Sequence, residues 1–126
     1  MKTVSRFYAA EVLNAPASTE ARTSLKQATS DEQIVQVCNT EAMEQIAKEE
    51  PGAPPDKVIA YARVEIVVQD GSLIANGAAV RRQGNWHELR YHCAVTPGSW
   101  AVLAFAYAIG KSIPRHLWDQ LALPYD

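Results

Sequence analysis

The densest run of side chains able to do chemistry is His87-Glu88-Leu89-Arg90-Tyr91-His92. Imidazoles beside a carboxylate suggest a metal centre or acid–base work, so the spacing has to decide. On a strand, residues five apart point to opposite faces, and His87 and His92 cannot hold one ion. On a helix they would miss the i, i+4 spacing of an HExxH zinc site. No metal site is expected. The chain has two cysteines, Cys38 and Cys93. A nucleophilic thiol needs an accessible, electropositive setting and an oxyanion hole, whereas both of these fall on sides of their elements expected to face a core. No glycine-rich phosphate loop, GxSxG elbow or paired-carboxylate arrangement occurs. The reactive residues therefore define no catalytic set and imply no cofactor.

The elements that must position these residues divide the chain in two. The first half reads as helices. Residues 6–13 form a short one, stopped by Asn14-Ala15-Pro16. Ser18 is placed to cap a second helix running to about 28, with Glu20 in its first turn. Ser30 and Gln33 have capping-box spacing for a third. On that third helix Ile34, Val37, Cys38, Ala42 and Ile46 share one face, and Glu41, Glu44 and Lys48 the other. Pro51, Gly52, Pro54 and Pro55 end it. From Val58 the period becomes two: Val58, Ala60, Ala62, Val64, Ile66 and Val68 alternate as a half-buried strand. Asp70-Gly71 and Gly84-Asn85 read as hairpin turns around strands over 73–83 and 86–95. Thr96-Pro97-Gly98-Ser99 turns into a strand over 101–109, and Pro114 starts a short helix to 121. The fold class is α+β. One domain over 1–126 places helices (about 6–49) on one face of a four-stranded antiparallel meander (about 58–109), followed by a short C-terminal helix (about 114–121).

Register decides which residues face out. A two-residue loop at Asp70-Gly71 would pair Val67 with Ile74 and turn Val64, Ile66 and Val68 toward the side bearing Arg81 and Arg90. A three-residue loop shifts this by one and gathers Ala62, Val64, Ile66, Val68, Ile74, Ala78, Val80, Leu89, Tyr91, Cys93 and Val95 on one face, to which a five-residue loop around Pro97-Gly98 adds Leu103, Phe105 and Tyr107. The second register is expected because it builds a single core. The other face then shows a floor of Leu73, Ala75, Gly77 and Ala79. Tyr61, Arg63, Arg81, Arg90 and His92 flank it, with Val102, Ala104 and Ala106 beyond. These six residues, Tyr61, Arg63, Gly77, Arg81, Arg90 and His92, are the expected ligand or partner surface. Gly77→Trp is expected to block it without unfolding the chain. Arg81 is expected opposite Glu88 as a cross-strand ion pair, Arg81-Arg82 forms a solvated edge, and Trp86 is expected to be the most exposed tryptophan. Cys38 and Cys93 lie on elements expected to pack together, either as two free buried thiols or as a disulfide closing a loop of about 55 residues.

Composition bounds the function classes. In a chain of 126 residues, 48% hydrophobic and 21% charged, a core needs no metal. A net charge of −2 argues against a nucleic-acid binder that relies on bulk positive charge. The longest apolar run, 100–110, is too short to span a bilayer, so no direct membrane insertion is expected. The opening residues Met1-Lys2-Thr3-Val4-Ser5-Arg6-Phe7 lack the apolar stretch of a signal peptide. That leaves a cytoplasmic protein or a domain cut from an exported precursor.

Several blocks resemble a bacterial family named only as domain of unknown function 930. They are Gln36-Val37-Cys38-Asn39-Thr40-Glu41-Ala42-Met43-Glu44-Gln45-Ile46, Pro55-Asp56-Lys57-Val58-Ile59-Ala60-Tyr61-Ala62, Asn76-Gly77-Ala78-Ala79-Val80-Arg81, the Trp86-x-x-Leu89-x-Tyr91-x-Cys93 strand and Ile109-Gly110-x-x-Ile113-Pro114. The resemblance runs from about 7 to 123. It implies a rhizobial protein, often exported or membrane-anchored, with a bridge between Cys38 and Cys93 and a periplasmic home, where disulfides persist. The missing signal peptide departs from the pattern and keeps the cytoplasm as the alternative. The family carries no activity and no catalytic residues.

The resulting expectation is a non-catalytic periplasmic or cell-envelope module. It would bind a protein or cell-wall component through the open sheet face, whose basic rim favours a carboxylate-bearing partner. One alternative is a small enzyme around Tyr61, Glu65, Arg90 and His92, which requires a deep pocket and His92 bonded to a carboxylate. The other is a homodimer through the same face.

Overall fold

The computed structural model describes residues 1–96 and 98–125; Pro97, expected at the corner of the last turn, and Asp126 lie outside the described residues. Helices come first: α1 (Ala9–Asn14), α2 (Thr19–Gln27) and α3 (Ser30–Glu49), with a 3-10 turn at Pro16–Ser18. Thr29 and Glu32 form the capping box of α3, one residue earlier than Ser30 and Gln33 would have placed it. Both pairs fit the spacing, but a carboxylate suits the positive end of the helix better than an amide. Gln33 instead donates to the Leu25 carbonyl at 2.8 Å and joins α2 to α3. Ser18, expected as the cap of α2, donates to the Val12 carbonyl at 2.7 Å.

On α3, Val37, Cys38, Ala42 and Ile46 are buried as their spacing predicts. Glu41, expected to face solvent, is also fully buried. Its carboxylate accepts the Tyr8 amide at 2.9 and 3.1 Å and the Ala9 amide at 2.9 Å. Gln45 donates to it at 2.8 Å and to the Arg6 carbonyl at 2.6 Å. The amides at the start of α1, which lacks a side-chain cap of its own, are thus satisfied from another helix. A buried carboxylate is tolerated because its oxygens meet donors.

Among the described residues the sheet has six strands, all pairs antiparallel: β1 (Lys2–Thr3), β2 (Lys57–Ile59), β3 (Val67–Gln69), β4 (Ser72–Arg82), β5 (Asn85–Val95) and β6 (Val102–Ser112). Their order is β1-β6-β5-β4-β2, with β3 also on β4. Two features enlarge the expected four-stranded meander. The N-terminus adds β1 against Ala106 and Tyr107. The edge strand expected over 58–68 is interrupted: Ile59 pairs with Ala79 and Val67 with Ile74, so eight steps along the edge face five along β4. The surplus arches over β4 at residues 60–66, where the Arg63 amide bonds the Gly77 carbonyl at 2.8 Å.

The loop at Asp70-Gly71 has two residues, not the expected three. Gln69 pairs with Ser72, and both loop residues are left-handed (φ 52° and 78°), as a tight type I′ hairpin requires. The helix-side core nevertheless forms because β4 carries a bulge: Ala75 faces Tyr91 and Ala78 faces Leu89, three steps against two. The phase reverses there, so Leu73 and Ala75 before it and Ala78 and Val80 after it all join the helix-side core. The one-residue shift expected in the loop lies in the bulge. The next turn is Gln83-Gly84 rather than Gly84-Asn85 (φ 50° and 74°). Arg81 therefore faces Trp86, and Ala79 faces Glu88. A further irregularity pairs Ala94 with Ala104 but Val95 with Val102. Val102 enters the core and Leu103, expected inside, is exposed.

At the C-terminus, Pro114 leads into a 3-10 turn (Arg115–Leu117) and further turns in place of the expected helix. Trp118 and Leu123 pack with Ala79, Ile113 and Trp86 in a second core. Trp86, expected to be exposed, is fully buried there and donates to the Pro124 carbonyl at 2.8 Å. Cys38 of α3 and Cys93 of β5 form a disulfide, Cα atoms 6.1 Å apart and 55 residues apart in sequence.

A Cβ built at Gly77 would lie 2.5 Å from Val64 Cβ and closer still to the Val64 amide nitrogen. Gly77→Ala is expected to cost about 1–3 kcal/mol through displacement of the arch, read as a lower urea midpoint, and the bulkier Gly77→Trp is expected to disrupt the fold locally rather than spare it. A wild-type midpoint for Gly77→Ala would show that the arch yields freely. The chain-entropy model gives a loop of this length about 4 kcal/mol. Non-reducing urea melts of the Cys38→Ala/Cys93→Ala double variant are expected to show that deficit, and reduced wild type to match it.

Candidate functional site

The face opposite the helices is covered at one end by the C-terminal segment on Trp86 and Ala79. The rest is bare. Strand pairing places Thr3, Ala106, His92, Ile74 and Val67 in one row and Ala104, Ala94 and Ser72 in the next. The small side chains leave an open hollow of about 350 Å³ lined by Thr3, Ile74, His92, Ala94, Ala104 and Ala106.

Polar groups edge this hollow. His92 Nε2 lies 3.2 Å from Asn76 Oδ1, the residue beside the bulged Gly77. Arg90, two residues along β5 and opposite Ala108, is exposed, and among the described residues its guanidinium has neither a hydrogen-bond nor an ion-pair partner. Arg63 reaches down from the arch to Glu88 at 3.7 Å, each side chain about a quarter exposed. With Arg90, Ala108 and Gly110 they line a smaller cleft of about 170 Å³. The face thus carries one cation already opposed and one free beside small apolar side chains. It can accept an anionic group by hydrogen bonding and charge. Among the described residues no three His, Cys, Asp or Glu side chains gather to hold a metal.

Three of the expected surface residues lie elsewhere. Arg81 is buried, bonded to Asp56 by Nε and Nη2 at 3.0 and 3.1 Å, and stacked 5.5 Å from the Trp86 ring. Its guanidinium holds the Asp56 carboxyl below the usual range. The expected Arg81–Glu88 pair does not form because the turn is displaced by one residue, and Arg63 takes Glu88 instead. Gly77 lies beneath the arch. Tyr61 is exposed at the sheet edge beside α3, in a different groove. Of the expected floor, Leu73 and Ala75 face the helices and Ala79 lies under Trp118. Ile74, Asn76 and Ala94 belong to the face and were not expected there. An isolated glycine in a strand pattern, at Asn76-Gly77, was the signal that could have found them.

The rim at β1 is held electrostatically. Lys2 Nζ lies 2.9 Å from Glu50 Oε2, to which the Tyr107 hydroxyl also donates at 2.7 Å. These bonds from Lys2 and Tyr107 hold the Glu50 carboxyl below its ordinary value. Burial, then the Glu50 carboxylate, pushes Tyr107 up to about 12. A carboxyl depressed in the folded state contributes stability above its unfolded pKa and loses it as pH falls through the folded one. The Val4 amide, bonded to the Phe105 carbonyl at 3.1 Å, is expected to lose hydrogen-exchange protection as pH drops below the ordinary 4.5. In Glu50→Gln that protection is already low at neutral pH and flat with pH. Identical pH profiles for the two proteins would exclude this clamp as the cause.

No curated protein and no solved structure matches the chain. One family model does, over residues 25–123, a stretch that takes in α3, β2 to β6, both cysteines and most of the bare face. The chain belongs to the family described as Domain of Unknown Function (DUF930).

Proposed function

We propose that this chain is a non-catalytic binding module of the bacterial cell envelope that takes an acidic, carboxylate-bearing partner, a protein or a cell-wall component, on its bare sheet face. The observation that carries the reading is the unopposed Arg90 guanidinium, which lines a cleft with Arg63, Glu88 and Ala108 and lies two residues along β5 from His92 in the alanine-floored hollow. The disulfide supports a periplasmic setting, since such bonds persist in oxidising compartments. Among the described residues no helix is long and apolar enough to cross a membrane. The enzyme reading required His92 on a carboxylate in a deep pocket, and His92 instead meets the Asn76 amide over an open hollow. A homodimer through this face is the second reading, favoured by Ile74, a large apolar side chain exposed in the hollow.

The test is titration of ¹⁵N-labelled protein with a polyglutamate peptide and, separately, with soluble muropeptides. Saturable shifts at the Arg90, His92, Ala104 and Ala106 amides are expected with at least one of them, weakening as salt is raised. Arg90→Glu is expected to weaken that binding at least about tenfold with an unchanged urea midpoint. Silence from both probes, or binding indifferent to Arg90→Glu, would overturn the reading. A dimer mass in light scattering that Ile74→Lys converts to monomer would favour the second reading instead.

A further inference from the structure

The edge of the sheet formed by β3 carries a surface of opposite character. Tyr61, Val64 and Val67 are 65%, 52% and 53% exposed, so three of the large exposed apolar side chains fall within one short segment. Tyr61, Ile66 and Val68 form one wall of an open groove of about 490 Å³, and Asp31, Glu32, Val35 and Gln36 of α3 form the other. Every charge lining it is acidic. The exposed Glu65 and Asp70 flank the strand in sequence.

The backbone of β3 adds direction. In a two-residue hairpin the residues beside the loop, here Gln69 and Ser72, form the closely bonded pair, and the next pair, Val68 and Leu73, is not hydrogen-bonded. The Val68 N–H and C=O therefore point away from β4, toward the open edge. Among the described residues neither has a backbone partner there. An apolar side chain in the groove and an unpaired donor and acceptor at the edge are the two halves of a strand-addition site. Native edges of this kind are usually blunted or covered.

We propose that the β3 edge and the α3 groove together dock an extended peptide segment, added as a strand to β3, whose groove-facing side chains, every second residue, are alternately apolar and basic. Its apolar side chains enter between Val35, Ile66 and Val68, and its lysines or arginines meet Asp31 and Glu32. Charge complementarity selects this occupant. A second copy of the chain is a poor fit, because two β3 edges paired antiparallel about Val68 would set Ile66 of one against Asp70 of the other, and residues 65–70 carry no cation to meet Asp31 and Glu32. The site is separate from the Arg90 face and of opposite sign, so the two readings stand or fall independently.

The probe is an acetylated, amidated octapeptide repeating valine-serine-lysine-serine, so that valines and lysines share one face, titrated into ¹⁵N-labelled protein. Saturable shifts at the Val35, Ile66 and Val68 amides are expected, with slowed hydrogen exchange at Val68. N-methylating alternate peptide amides, so as to block the bonding edge, is expected to abolish these effects with the protein unaltered. Asp31→Asn is expected to weaken binding several-fold, and replacing the peptide lysines by glutamate at least about tenfold. Val68→Pro removes the outward N–H without removing a bond to β4 and is expected to be silent to the peptide. Absence of saturable shifts, equal binding of the glutamate peptide or the N-methylated peptide, or shifts confined to Arg90 and His92 would each overturn the proposal. So would Val68 shifts that follow protein concentration without peptide, which would mark self-association at this edge.

Discussion

At Gly77 the backbone of β4 passes directly beneath Val64, with room for a hydrogen atom and not for a methyl group. That close approach is what lets residues 60–66 leave the sheet edge, lean over β4 at Gly77 and rejoin the same edge at β3. It accompanies the bulge between Ala75 and Ala78. Because strand side chains alternate with period two, one extra residue exchanges the faces of everything beyond it. Leu73 and Ala75 therefore share the helix-side core with Ala78 and Val80. The same phase change leaves Ile74 and His92 on the bare face and sends Ala79 under Trp118. The arch also delivers Arg63 to Glu88 and sets Tyr61 beside α3.

The helical layer depends on two attachments of different kinds. Cys38–Cys93 ties α3 to the middle of the sheet covalently. Glu41 ties the start of α1 to α3 through a buried carboxylate that meets two backbone amides and the Gln45 amide. A buried charge of this sort is costly when its partners are missing, so the attachment works only when residues 6–9 are already in place. Stability in this layer is therefore shared between a loop constraint on the unfolded chain and a polar network in the folded one.

The two exposed surfaces differ in what they offer. The bare face presents hydrophobic floor and cationic edge, with backbone groups already used in the ladder. The β3 edge presents unused backbone groups with an acidic, apolar groove beside them. Recognition on the first must rest on side chains, and on the second the main chain itself contributes. Both surfaces belong to the part of the chain whose core is anchored by the disulfide.

Patterning alone determined much of this protein. The α+β class, the order of helices before strands, the buried stripe Val37, Cys38, Ala42 and Ile46, the inward Leu89, Tyr91 and Cys93 and the place of a hairpin at Asp70-Gly71, though not its length, follow from periodicity and turn chemistry, which are local. The Cys38–Cys93 pairing followed from the family resemblance. Tertiary structure decided what local rules leave degenerate. Thr29–Glu32 and Ser30–Gln33 fit the same cap, and Gln83-Gly84 and Gly84-Asn85 the same turn; one-residue choices like these become definite only against a packed neighbour. Glu41 reads as a solvent-facing residue until the amides of Tyr8 and Ala9 come to it across 33 and 32 residues of chain. Of the expected surface, Arg90 and His92 stayed together and Arg63 joined them from the arch, whereas Arg81, Gly77 and Tyr61 were separated from them by a bulge, an arch and a displaced turn. Each of those is a phase shift in a period-two pattern, which leaves the residue types unchanged and alters only what they face.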